Sequence, residues 1–135
     1  MSDTLAKELG LTPLARIVAT GVSGLSPEIM GLGPVEASRQ ALGRAGMTID
    51  DMDLIEINEA FAVQVLGSAD DLGIDHDKLN VHGGAIALGH PFGSTGARIA
   101  TTLLNGLEER DGTFGLETMC VGGGQGMAII FERLS

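Results

Sequence analysis

The sequence predicts an α/β domain: a mixed five-stranded sheet with helices on both faces. Three observations predict it. Short β-branched runs alternate with stretches whose apolar residues recur every 3.6 positions, glycines stand at the ends of those stretches, and Gly122-Gly123-Gly124 separates the last two apolar runs as a tight turn. The resulting order, β-α-β-α-β-α-β-β, implies a largely parallel sheet with an antiparallel hairpin added.

Each element has its own signal. Ser2 to Leu9 reads as a polar helical turn, and Ala15 to Gly21, with Ile17 and Val18, as a strand followed by a loop to Gly33. Pro34 opens a helix at its first turn, where a missing N–H costs nothing. Ala37, Ala41, Leu42 and Ala45 form its apolar face, and Gly46 ends it. Asp50, Asp51 and Asp53 turn the chain into the short strand Leu54-Ile55-Glu56-Ile57-Asn58, and a helix from about Glu59 to Leu72 is stopped by Gly73. A third strand is expected near Asn80 to Gly84, then a glycine-bounded loop and a long helix from Pro91 to Glu109. Phe114 to Val121 and Gly126 to Glu132 close the sheet.

Composition narrows the function. The 135 residues are one domain's worth of chain, and a formal net charge of −10 repels phosphate backbones and anionic membrane surfaces, so neither nucleic acid nor membrane is expected as a partner. No apolar run is long enough to span a bilayer, and the first ten residues lack a signal-peptide core. Cys120 is the only cysteine; it excludes an internal disulfide and suits a reducing, cytoplasmic setting. Three scattered histidines and one cysteine lack ligand spacing for zinc, and neither a dinucleotide fingerprint, a P-loop nor a G-x-S-x-G elbow occurs. No metal or cofactor is expected.

The long helix is unusual. From Phe92 to Leu107 its only charge is Arg98, and Gly93, Ser94, Gly96, Ala97 and Ala100 are small, so it has no proper solvent face. Either a compact domain buries it under thin cover, or a second layer comes from outside this chain.

Three polar residues stand where chemistry gathers in open α/β sheets, at strand ends and helix starts. Asn58 ends the second strand; it caps the next helix or orients a water or carbonyl. His90 precedes Pro91 at a predicted helix N-terminus, where partial positive charge favours a neutral imidazole, the form a general base needs; the plainer role is a capping histidine. Cys120 ends a strand before three glycines whose N–H groups can form an anion nest, or it is a small buried hydrophobe. Glu59 beside Asn58 and His82 before Gly83-Gly84 are candidates for supporting the site, whereas His76 lies in a polar, solvated loop.

Three blocks taken in order carry a resemblance. Asn58-Glu59-Ala60-Phe61-Ala62, then Gly83-Gly84-Ala85-Ile86-Ala87-Leu88-Gly89-His90-Pro91 continuing to Gly93, Gly96 and Arg98, then Cys120-Val121-Gly122-Gly123-Gly124-Gln125-Gly126 resemble the catalytic blocks in the C-terminal half of a thiolase. The likeness extends over essentially the whole chain, including Gly10 to Ile17 and Met30 to Pro34. It implies an acyltransferase that interconverts acyl-CoA plus acetyl-CoA with 3-ketoacyl-CoA plus CoA, with the coenzyme A thioester as substrate. His90 would then activate a nucleophilic cysteine and line one oxyanion hole, completed by a water on Asn58. Cys120 would move a proton at the thioester Cα or the CoA sulfur, and the Gly122 N–H would serve the second hole. Free thiols titrate near pH 8.5, so proton exchange between Cys120 and a CoA thiol is close to thermoneutral.

The resemblance also shows departures. The family's acyl-accepting cysteine and most of its CoA contacts belong to the N-terminal half, and this chain has no cysteine but Cys120. Residues 1–14 are expected to be the remnant of a junction with that half, residues 15–135 to be the C-terminal domain, and the chain alone to be inactive. His82 stands where such proteins usually carry asparagine. The implied partners are an N-terminal thiolase half or further copies of the chain, in an oligomer. The alternative is a non-catalytic module that self-associates through the apolar helix and keeps its motifs as relics. A ketosynthase-like condensing enzyme on a related fold is disfavoured, because such enzymes are expected to use two histidines in this site, whereas the Cys120-Val121-Gly122-Gly123-Gly124 block suits a thiolase.

Overall fold

The computed structural model describes all residues, 1–135. Helix α1 (Asp3–Glu8) starts beneath Ser2, whose hydroxyl accepts the Leu5 N–H. Strand β1 (Ala15–Gly24) runs three residues past the expected end and leads through a 3₁₀ segment, Pro27–Leu32, into α2 (Gly33–Ala45), which ends at Gly46 with φ of 67°. Then follow β2 (Leu54–Ile57), α3 (Ala62–Leu72), the one-turn α4 (Ala85–Leu88), α5 (Thr95–Glu109), β3 (Phe114–Val121) and β4 (Gln125–Arg133).

The sheet has four strands in the order β1-β4-β3-β2. β2 and β3 pair in parallel, whereas β4 pairs antiparallel with both β3 and β1. β1, β2 and β3 therefore point the same way, and β4 is the one opposed strand, lodged between β1 and β3 instead of being added at an edge. The sheet is mixed, as expected, but the fifth strand is absent. Between residues 79 and 84 only an isolated bridge, Leu79 to Ile55, forms. Asn80 takes a left-handed φ of 46° and Gly83 one of 74°, which takes the chain out of extended conformation.

The pleat sorts side chains into two faces. On one, the cross-strand rows Ala19, Ile130, Leu116, Ile55 and Gly21, Ala128, Thr118, Ile57 lie beneath α2 and α3, which add Ala37, Ala41, Leu42, Val65 and Ala69 to the larger core. Close approach here requires glycine: a Cβ on Gly126 would run into the Gly33 carbonyl, and one on Gly21 into the Ala37 carbonyl. On the other face α5 covers β2 and β3 through Leu54, Leu103 and Leu107. The β1–β4 end of that face is largely uncovered, with α1 bordering a cavity only at its Ala15–Ile17 corner. Ile17, Val22 and Met127 are 61, 55 and 45% exposed there, beside a cavity of about 310 Å³ lined by Ala97, Ala100, Met119, Ile129 and Phe131.

α5 keeps one stripe that this chain leaves uncovered. Ala97, Thr101 and Asn105 face outwards, and the Thr101 hydroxyl and Asn105 amide donate back to the helix carbonyls of Ala97 and Thr101, both at 2.8 Å. This stripe has no charge until Glu108 and satisfies its own polar groups.

Candidate active site

The site lies where β2 and β3 end. The Asn58 N–H donates to the Thr118 carbonyl at 3.0 Å, which extends the parallel ladder one step beyond β2 and holds the wholly buried Asn58 side chain at the sheet's rim. Asn58 is not a helix cap, since α3 begins four residues later behind Phe61. The segment from Gly84 to Ser94 approaches the same rim. The single turn of α4 ends at Gly89, whose φ of 94° is left-handed, and delivers a half-buried His90.

Asn58 and His90 meet. The Asn58 Nδ2 stands 3.4 Å from the ring Nδ1 and 3.3 Å from Nε2, close to both and aimed squarely at neither, while its Oδ1 is buried without a hydrogen-bond partner. The Phe92 ring meets the imidazole edge-on, with centroids 4.9 Å apart. Phe92, and Phe61, Ile86 and Leu88 on the segments that carry Asn58 and His90, are all exposed.

The helix start expected immediately after His90 lies five residues on, because Pro91–Ser94 forms a turn in place of the first helical turn and Ser94 donates its N–H to the Pro91 carbonyl. The imidazole is held instead by Thr95, which sequence reasoning missed. The Thr95 Oγ1 lies 2.6 Å from His90 Nδ1 and 3.2 Å from the Pro91 carbonyl. With the hydroxyl proton on that carbonyl, the oxygen accepts Nδ1–H and leaves Nε2 as the free base; this network satisfies all three groups. Its only signal in the sequence is a hydroxyl residue five positions after the histidine.

Cys120 is the last residue but one of the neighbouring strand, two residues beyond the Thr118 that holds Asn58. The pleat sets it in the row of Gly126 and Ser23, beneath the start of α2, and the hydrogen bonds that link Asn58, His90 and Thr95 do not include it. Burial pushes its thiol pKa up, against a smaller opposing effect of a backbone hydrogen bond, so the thiol stays protonated at neutral pH. Gly122 is exposed at the start of the following turn, in which Gly123 and Gly124 have φ of 86° and 87°.

Of the two supporting candidates, Glu59 reaches the loop that carries His90: its Oε2 accepts the Ile86 N–H at 3.0 Å and its Oε1 accepts from the Asn80 amide at 3.2 Å. His82 does not stand beside His90. Its Nε2 is 3.1 Å from Glu109 Oε2, and its ring lies against Gly106, about 16 Å along α5 from Thr95.

A buried acidic pair lies on the α5 face. Glu56 and Glu117 are register partners on β2 and β3, 2% and 3% exposed. Desolvation raises both carboxyls to about 7; the Arg98 charge opposes the rise at Glu56, Glu59 adds to it, and Glu56 adds to that of Glu117. Glu117 Oε2 and the three guanidinium nitrogens of Arg98 have no hydrogen-bond partner within the chain.

Comparison with known proteins identifies the family. The model of the family described as Thiolase, C-terminal domain, matches residues 11–133. The chain belongs to the thiolase C-terminal domain family. It is 57% identical to a 3-ketoacyl-CoA thiolase of Cronobacter sakazakii over 99% of its own length and 35% of that protein's. It is 54% identical to an acetyl-CoA acetyltransferase of Escherichia coli over its full length and 34% of that protein's. The crystal structure of the Bacillus anthracis acetyl-CoA acetyltransferase superposes with a TM-score of 0.96 at 48% identity, and that of human mitochondrial 3-ketoacyl-CoA thiolase in complex with CoA with 0.97 at 49%. Each superposition covers 99% of this chain and 34% of the other. The chain thus spans about a third of the length of the thiolases it matches.

Proposed function

We propose that this thiolase C-terminal domain supplies acid/base and oxyanion-binding groups for acyl transfer between coenzyme A thioesters, interconverting acyl-CoA plus acetyl-CoA with 3-ketoacyl-CoA plus CoA. The observation that carries the reading is the meeting of the buried Asn58 amide with the His90 ring at the sheet's rim. In this scheme His90 Nε2 takes the proton of a cysteine supplied by an N-terminal half, and the thiolate attacks the thioester carbonyl. A water on Asn58 and the imidazole stabilise the resulting oxyanion, while the Gly122 N–H serves a second one. Cys120 exchanges a proton with the substrate Cα or the CoA sulfur; its protonated state suits the donating direction. Each preset oxyanion donor contributes on the order of 3 kcal/mol.

The same reading makes residues 1–14 the link to the N-terminal half and residues 15–135 the domain proper. The N-terminal half covers the open β1–β4 face and the uncharged stripe of α5, and the assembly works in the cytoplasm as an oligomer. Support comes from that exposed apolar face and from relatives about three times longer than this chain. The purified chain is expected to show no thiolysis of acetoacetyl-CoA alone, and to gain it when mixed with an N-terminal thiolase half, with His90→Ala abolishing the gain. Turnover by the chain alone refutes the dependence. A stable homodimer indifferent to the added half favours a self-associating, non-catalytic module instead.

A further inference from the structure

Asn58 and His90 belong to segments with no direct main-chain hydrogen bond between them, yet their side chains are held within 3.4 Å. One polar bridge joins the two segments. Asn80 stands against the free edge of β2, where a fifth strand would have paired. Its N–H donates to the Ile55 carbonyl at 2.9 Å, its Oδ1 accepts the Ile57 N–H at 2.8 Å, and its Nδ2 donates to the Ile57 carbonyl at 2.9 Å. The side-chain amide thus does for Ile57 what a neighbouring strand does, from a backbone whose left-handed φ excludes a strand. Nδ2 also reaches Glu59 Oε1 at 3.2 Å, and Glu59 Oε2 takes the Ile86 N–H within α4. Gly84 leaves room for this carboxylate, which a Cβ there would strike. The path runs from the residue before Asn58, through Asn80 and Glu59, to the helical turn that ends at His90.

We propose that Glu59 and Asn80 are positioning residues whose joint clamp sets the Asn58–His90 separation, and so the geometry of the oxyanion site. The inference rests on the functional reading above for its catalytic consequence, but not for its structural content. Both carboxylate oxygens of Glu59 are taken by donors, so an amide at position 59 turns an NH₂ toward either Ile86 N–H or the Asn80 amide. The clamp then opens while side-chain volume is unchanged.

The test uses the 135-residue chain with Glu59→Gln, Asn80→Ser and, as a control, Asp53→Asn. Asp53 also holds backbone N–H groups, those of Thr113 and Phe114, but at the opposite end of β2. In ¹⁵N NMR, Glu59→Gln and Asn80→Ser are expected to shift the His90 ring nitrogens and to speed exchange of the Ile86 amide by about tenfold or more. Asp53→Asn is expected to change neither. If Glu59→Gln leaves the His90 signals as in the wild type, the clamp does not position the ring; Asn80→Ser decides the same question should Glu59→Gln fail to fold. Mixed with an N-terminal thiolase half, Glu59→Gln is expected to lower kcat about tenfold or more with KM for the thioester nearly unchanged. An unaltered kcat overturns the proposal. An inactive wild-type mixture counts against the functional reading instead, and the NMR comparison then decides the clamp.

Discussion

At the scale of single residues, the tautomer of His90 depends on one hydroxyl. The Thr95 oxygen accepts a hydrogen bond from Nδ1–H while its own O–H donates to the Pro91 carbonyl, which leaves Nε2 to act. Thr95→Val keeps the shape and removes the acceptor, so the ring loses its reason to prefer one tautomer. The expected result is a mixture of tautomers in the ¹⁵N spectrum of His90 and, in an active assembly, a fall in kcat of about tenfold or more. A single unchanged tautomer refutes the assignment. The sequence marks His90, Asn58 and Cys120 because glycines and strand ends surround them. It does not mark Thr95 or Asn80, whose roles depend on a turn replacing the first helical turn and on a left-handed backbone at residue 80. His82 shows the converse: its place before two glycines suggested the site, but an acidic partner at the end of α5 takes it elsewhere.

At the scale of elements, α2 was legible because Pro34, Gly46 and the alanine spacing state its start, stop and buried face together. The fifth strand does not form because residues 79 and 80 meet β2 through one isolated bridge and the Asn80 side chain, and the left-handed backbone at Asn80 ends the pairing there. The position of β4 was also hidden, since adjacency in sequence places it beside β3 but says nothing of its second neighbour, β1. That second pairing brings β4 under the start of α2, where Gly126 and Gly33 cross backbone to backbone. Gly126→Ala is expected to destabilise the chain by about 2 kcal/mol or more through overpacking, read as a lower denaturant midpoint at unchanged slope. Gly43→Ala, on an open part of α2, is expected to be neutral or mildly stabilising. Equal midpoints for the two variants would show that the crossing tolerates a methyl group.

At the scale of the whole molecule, the buried acids make stability depend on pH in the direction opposite to ordinary acid denaturation. Glu56 and Glu117 have native carboxyls raised from 4.5 to about 7, so between those values the folded chain holds protons that the unfolded chain has released. Stability therefore falls as pH rises through this window, by on the order of 3 kcal/mol for one such group. Denaturant midpoints are expected to be higher near about pH 5 than near about pH 8, and Glu117→Gln is expected to remove much of the difference. An unchanged difference in that variant would place its origin elsewhere.

The placement of β4 also bears on how the polypeptide is made. Among these four strands, the last in sequence is the one that joins β1 to the rest, so the three made before it cannot close the sheet. Until Gln125–Arg133 is released, β1 lacks its neighbour and α2 lacks much of the floor it rests on. Nascent chains halted before Gln125 should remain sensitive to protease along β1, and protection should arrive in one step when the final strand is added.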